Sequence, residues 1–510
     1  MRTNLLYENS YFKYKELDEF DNNLISDLEL EELIAIASNK NPYVSKLFKN
    51  ILLQPLKTKE EIKYRQDIFL DLYNHFELLN EFHKYLFELI VEYKQKFPYS
   101  INDKSPYTIV TSSTSIIQYI VPKLYTIRNY IVAFKDSNSK GIKLLIEENL
   151  KELTNDNLDM LMGLSVGLDV RKGTMASASL NEDMEISNYE INQSTYLDKE
   201  FKKKWKKSKK IEYIYLSETI FNEVMKKNDI VSSIISHDYG TAVNNIINFI
   251  SDLYDELSFY LASINLKKYL ENLKLDTVMP TVGDACYDGL YDIAIAIKKG
   301  GSVISNSHKS NSKMWVITGA NQGGKTTFLR SLGQAYLLMQ SGLFVPAKHL
   351  RLPIVSNIFT HFDKEEDTNL ESGKFDDELR RFNLLINKLD SNSLIILNES
   401  FQSTDEHEGS KIGFEIIKAF RDSNVFVILV THMYDLAMLI KNEYEDCYFL
   451  RAERKDDGSR TFVLRENEPL KTSFAKDLYN DIWKNNWLKT KSFVNVINNG
   501  IVDDIKWKEN

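Results

Sequence analysis

At 510 residues and 43% hydrophobic side chains, the chain is long enough for more than one domain and rich enough to bury real cores. Two cysteines, Cys286 and Cys447, supply neither a disulfide framework nor a metal cluster, and they suit a reducing cytoplasm, the predicted location. A net charge of −9 argues against general electrostatic adhesion to nucleic acid, so any DNA-binding surface must be local.

The opening residues, Met1-Arg-Thr-Asn-Leu-Leu-Tyr-Glu, start no signal peptide. Residues 12–100 are rich in Leu, Phe, Tyr, Glu and Lys, and Leu79, Phe82, Leu86 and Leu89 recur at helical spacing. Thr58 and Glu61 occupy the N-cap and capping-box positions of one of these helices. The apolar run from Ile116 to Phe134 is interrupted by Lys123 and Arg128, which rules it out as a membrane span. From about 140 to 230 the character shifts, and Leu164-Ser-Val-Gly-Leu-Asp-Val170 with the Ser/Glu/Asn-rich run after it predicts strands and loops. Inside this stretch lies a cationic run, Lys202, Lys203, Lys204, Lys206, Lys207, Lys209 and Lys210, with Phe201 and Trp205 four residues apart. It reads either as a hydrated helix face pinned by two rings or as a contact to the phosphate backbone that carries no sequence preference. Helical periodicity returns between Ile230 and Leu275, where Phe249, Tyr254, Phe259 and Tyr260 are expected in the core rather than stacked on bases.

The most informative stretch follows. Met314-Trp-Val-Ile-Thr is a strand-type run feeding Gly319-Ala320-Asn321-Gln322-Gly323-Gly324-Lys325-Thr326-Thr327, which fits the pattern G-x-x-x-x-G-K-[ST]. The glycines admit positive φ and let the backbone approach a polyphosphate, while successive N–H groups and the N-terminus of a helix starting near Lys325 face the anion. In such a loop Lys325 reaches the β- and γ-phosphates and the Thr326 hydroxyl ligates Mg²⁺. Two more apolar runs end in polar tips. Ser393-Leu-Ile-Ile-Leu397 leads to Asn398-Glu399, where a carboxylate can deprotonate an attacking water, and Val425-Phe-Val-Ile-Leu-Val430 leads to Thr431-His432, where an imidazole can touch the γ-phosphate. Beyond them, Cys447 to Ala452, Asp457-Gly458 and Thr461 to Leu464 read as a hairpin.

These motifs resemble, in order, those of the ATPase domain of the MutS family, a branch of the ABC-type ATPases, and within it a group of short bacterial MutS-related proteins. Ile317 to Arg330 is similar to the family's phosphate loop, Ser341-Gly-Leu-Phe-Val-Pro-Ala347 to the run that follows it, and Ile358-Phe-Thr-His361 to the next strand. Leu370 to Leu379 resembles the signature loop that completes the neighbouring subunit's site, with Ser372 and Gly373 as the contacts in trans, although the usual Ser-Thr pair is missing. Asn398 to Thr404 resembles the Walker B tip, with Asn398 where most of the family has an aspartate holding a Mg²⁺-bound water. Gln54 to Gln66 resembles the opening of the family's core domain, and Pro469 to Tyr479 the stretch that closes the ATPase domain.

The resemblance implies a multidomain chain, an α-helical core and lever region followed by an α/β P-loop ATPase domain of the ABC type. The expected divisions are a helical core over 1–140, an inserted lever or clamp-like segment over 141–230, returning core helices over 231–275, and the ATPase domain with a C-terminal helical tail, bearing Trp483, Trp487 and Trp507, over 276–510. No space is expected for a mismatch-reading domain. The implied activity is ATP hydrolysis with Mg²⁺, with Glu399 as base and His432 as γ-phosphate sensor, and Thr326 and Asn398 on the metal side. The implied partners are a second copy with composite ATP sites, DNA recognised by structure, and repair proteins, with no membrane. The alternative is a slow ATP-dependent switch or a scaffold for protein partners.

Overall fold

The computed structural model describes residues 1–98, 106–167, 176–180, 186–191, 229–319, 323–363, 374–454 and 460–470. Ala320, Asn321, Gln322, Ser372, Gly373, the lysines from 202 to 210 and the three tail tryptophans, singled out in the sequence, lie outside these residues. In chain order, α1 (Glu19–Asp27), α2 (Leu30–Ala37), α3 (Pro42–Leu52), α4 (Lys59–Asn74), α5 (Phe76–Lys96), α6 (Pro106–Ala133), α7 (Lys140–Glu152) and α8 (Asn155–Gly167) precede the antiparallel pair β1 (Ala176–Leu180) and β2 (Ile186–Ile191) and the long helix α9 (Asp229–Asn272). The N-terminal region is thus helical. By contacts, residues 1–14, 37–48 and 63–265 form one compact unit, and 15–36, 49–62 and 266–510 a second.

Local chemistry explains several of these elements. Thr58 and Glu61 form the reciprocal box that starts α4, with Glu61 N donating to Thr58 Oγ1 at 3.2 Å and Thr58 N donating to Glu61 Oε2 at 3.1 Å. Leu79, Phe82, Leu86 and Leu89 line the buried stripe of α5. Phe249, Tyr254, Phe259 and Tyr260 are buried, as core packing requires. The first unit is also stitched to its own N-terminal segment. Leu5 N donates to the buried Glu256 at 2.9 Å, and the Tyr260 hydroxyl and Arg65 Nε donate to the carbonyls of Leu5 and Leu6 at 2.6 and 2.8 Å.

One expectation is corrected. Leu164 to Gly167 completes α8 instead of opening a strand. The Thr154 hydroxyl caps Asn157 N at 3.1 Å, and once that helix is started, Ser165 bonds back to the Met162 carbonyl at 2.7 Å. Cooperative elongation overrides the β preference of Val166. Residues 168–175 lie outside the described set. Among the described residues, no helix is long and apolar enough to cross a membrane.

The C-terminal region is an α/β domain. It runs through β3 (Thr281–Val282), β4 (Cys286–Leu290), α10 (Ile293–Lys298), β5 (Asn306–Lys309), β6 (Met314–Thr318), α11 (Lys325–Gln340), β7 (His349–Leu352), β8 (Ile358–Phe362), α12 (Lys374–Ile386), β9 (Leu394–Asn398), α13 (Glu406–Asp422), β10 (Phe426–Val430), α14 (Tyr434–Glu443), β11 (Tyr448–Arg454) and β12 (Arg460–Glu466). The larger sheet has the order β12-β11-β6-β10-β9-β8. Its strands from β11 to β8 are mutually parallel, and β12 returns antiparallel as the predicted hairpin. The smaller sheet is β3-β7-β4-β5. Continuous apolar runs make β6, β9 and β10 buried on both faces, as a parallel sheet under helices demands. Beneath the sheet, Phe382, Phe401, Ile417 and Phe420 join strand residues such as Ile395 and Leu429 in one apolar cluster.

Candidate functional site

Three parallel strands present their C-terminal tips together. Val430 is in register with Ile317 of β6 on one side and with Asn398 of β9 on the other, so the residues just past each tip share one edge of the sheet. Thr431 N donates to the Ile317 carbonyl at 3.1 Å and Glu399 N to the Val430 carbonyl at 2.9 Å, which extends the ladder into the loops that carry the polar groups.

After β6 the chain turns at Gly319, with φ 118°, and enters α11 through Gly324, with φ 90°, both in the left-handed range. A Cβ at Gly324 would also lie 3.1 Å from the Phe462 carbonyl oxygen, so close approach of β12 reinforces the need for glycine. Lys325 and Thr326 occupy the first turn of α11, and Lys325 is almost fully buried. Its ammonium donates to the Gly319 carbonyl at 3.0 Å. Burial pushes the Lys325 ammonium down to about 8, with the Glu399 carboxylate restoring part of the charge preference.

Lys325 Nζ lies 3.2 Å from His432 Nε2, and that same nitrogen lies 2.8 Å from Glu399 Oε1. One ring nitrogen cannot donate to the carboxylate and accept from the ammonium at once, so the shorter contact assigns the Nε2 proton to the bond with Glu399. The hydrogen bond from His432 holds the Glu399 carboxyl below its ordinary range against the opposing effect of burial. Thr326 Oγ1 donates to Asn398 Oδ1 at 3.1 Å. The structure therefore brings Gly319, Gly324, Lys325, Thr326, Asn398, Glu399 and His432 together, with Gly323 and Thr327 adjoining in the chain.

Several residues to which the motifs assigned no role complete the surroundings. Glu399 and Phe401 both take left-handed φ, 57° and 71°, at about 1–3 kcal/mol each for a non-glycine residue, so something must hold this turn. Phe401 N donates to Glu378 of α12 at 2.7 Å, and Ser400 Oγ lies 3.0 Å from His361 Nδ1. On the other side of α11, a cavity of about 180 Å³ opens beside Gly324 and Thr327, walled by Leu290, Ile295, Ile304, Phe328 and Phe462. Ile304 and Phe462 are unusually exposed for apolar residues, at 48% and 42%. In the sequence His361, Glu378, Ser400 and Phe401 all lie inside the matched runs Ile358–His361, Leu370–Leu379 and Asn398–Thr404, but nothing there marked them as partners of one another, because their contacts are made in space; the cavity walls Leu290, Ile295 and Ile304 had no signal.

Among the described residues no cluster of three or more His, Cys, Asp or Glu side chains is arranged to hold a metal ion. The hard oxygens at the strand tips include the Thr326 hydroxyl, the Asn398 amide oxygen and the Glu399 carboxylate.

Residues 315–474 match the family described as MutS domain V, and residues 57–273 match the MutS2 N-terminal domain. Among curated relatives, the DNA mismatch repair protein MutS of Thermosipho melanesiensis is 23% identical over 83% of this chain and 56% of its own length. An endonuclease MutS2 of Alkaliphilus metalliredigens is 35% identical over 24% of this chain and 16% of its own, and MutS protein homolog 4 of Candida albicans is 24% identical over 44% and 28%. The matches thus span between 16% and 56% of these relatives' own lengths. With both its helical portion and its sheet domain matched to that family's modules, the chain belongs to the MutS family.

Proposed function

We propose that this chain is a MutS-like ATPase that couples ATP binding and hydrolysis to clamping on DNA, acting as a homodimer with composite sites. The observation that carries the reading is the linked set at the strand tips, Lys325 against His432, His432 against Glu399, and Thr326 against Asn398. A polyphosphate in the glycine loop meets the Lys325 ammonium and the N-terminus of α11. The apolar cavity beside Thr327 is a seat for the base, with Ile304 and Phe462 as its walls. Glu399, ionised at neutral pH, orients a water and takes its proton; His432 leaves its bond to Glu399 for the terminal phosphate. Thr326 and Asn398 fit Mg²⁺, a cation that keeps several waters and needs few protein oxygens, and when bound it would offset phosphate charge. The phosphate-loop roles of Ala320, Asn321 and Gln322, the trans contacts of Ser372 and Gly373, and DNA contact by the lysines from 202 to 210 belong to the same proposal.

A second reading, a slow nucleotide switch for protein partners, is favoured by Asn398, which brings no charge to the metal and is engaged by the Thr326 hydroxyl. One assay separates the two. The ATPase rate is measured with and without duplex, mismatched, branched and single-stranded DNA, for the parent, Glu399→Gln and Asn398→Asp. The proposal expects DNA to change the rate and Glu399→Gln to lower turnover on the order of 10²–10⁴-fold while still binding ATP. A rate indifferent to every DNA, with a large gain in Asn398→Asp, supports the switch; parental turnover in Glu399→Gln removes that residue as base.

A further inference from the structure

The turn that carries Glu399 is held by contacts that converge on Phe401. Its N–H donates to Glu378 Oε1 at 2.7 Å. Its ring stacks on Phe382, with centroids 4.8 Å apart and planes within 11°. Its carbonyl oxygen and ring lie where side chains at Gly409 and Gly413 would stand, 2.5 and 2.8 Å from an added Cβ. Glu378 and Phe382 are four residues apart on α12, so one face of that helix addresses both the backbone and the ring of a single residue. Glu378 is only 2% exposed, and a carboxylate so deeply placed needs a donor; the Phe401 N–H is one. Between the two left-handed residues, Ser400 is tied to His361 of β8.

Resting on the ATPase reading, we propose that Glu378 is a positioning residue for the hydrolytic base, fixing the 399–401 turn so that Glu399 faces His432 and Lys325 and tying that turn to helix α12. Glu378 touches neither Lys325 nor Thr326, so its loss acts on turnover and spares nucleotide binding. A residue that merely filled the core would lower stability and leave the turnover of folded molecules unchanged.

The test uses the full chain and measures kcat, the Kd for ATP and the melting temperature of Glu378→Ala, Glu378→Gln and Ser400→Ala. Glu378→Ala is expected to lose roughly 10- to 100-fold in kcat, the scale of a small misplacement, with Kd within about twofold of the parent. Glu378→Gln keeps an oxygen that accepts the same N–H and should recover most of the loss. Should Glu378→Ala fail to fold, Ser400→Ala loosens the same turn from the β8 side and must show the same split. Unchanged kcat in folded Glu378→Ala, equal losses in Ala and Gln, or a Kd that weakens in step with kcat overturns the proposal. A parent that turns over no ATP overturns the proposed function itself, and this inference with it.

Discussion

Burial sets Lys325 apart from a surface lysine. Its ammonium is pushed down to about 8 by desolvation, and Glu399 offsets that only in part, so the side chain is readily neutral in mildly alkaline solution. A polyphosphate arriving at Nζ favours the charged form and raises the pKa. Binding should therefore take up a proton near and above pH 8, and affinity should fall as pH rises through that value. Titration calorimetry in two buffers of different ionisation enthalpy reads this directly. Net uptake of roughly half a proton is expected near pH 8, approaching one proton about a unit higher, and close to none from this group well below pH 8. No uptake at either pH means that Lys325 does not meet the phosphates. The Glu399 carboxyl is likewise held below its ordinary range, by its bond to His432, and so is ionised and ready as a base at neutral pH.

At the scale of elements, α13 and the turn after β9 are fitted to each other through a missing side chain. At Gly409 an added Cβ would stand 2.5 Å from the backbone oxygen of Phe401, which cannot yield as a flexible side chain would. Gly409→Ala should lower stability by about 1–3 kcal/mol, the scale of overpacking, despite the better helix propensity of alanine, and should slow turnover by shifting Glu399. Gly163 in α8 has nothing within 4 Å of the same addition, and Gly163→Ala should instead stabilise by about 0.5–1 kcal/mol. Opposite shifts in melting temperature are the expected result; two shifts of the same sign would remove the steric argument. How much of this was legible beforehand follows from range. Strands β6, β9 and β10 are continuous apolar runs with polar tips, so both their type and the meeting of Lys325, Thr326, Asn398, Glu399 and His432 could be read from spacing. The brace from Glu378 to Phe401 could not, because it joins residues 23 apart in the chain through the packing of α12. Leu164 to Gly167 misled because a short apolar run looks alike in a strand and at the end of a helix, and only the Thr154 cap upstream decides.

For the whole molecule, the helical N-terminal region and the α/β domain answer to different parts of one account. The sheet domain gathers the groups that would bind and cleave a nucleoside triphosphate, and the helices supply the bodies that the proposed cycle would move around DNA. All of this depends on the loop ending at Lys325 gripping ATP. The most direct test is equilibrium binding of labelled ATP with magnesium to the full chain and to Lys325→Ala. Saturable binding by the parent and a loss of roughly 10- to 100-fold in the variant, the worth of one charge-assisted contact, is the predicted result. A parent without affinity for ATP, or a variant that binds as tightly as the parent, would contradict the account at its base.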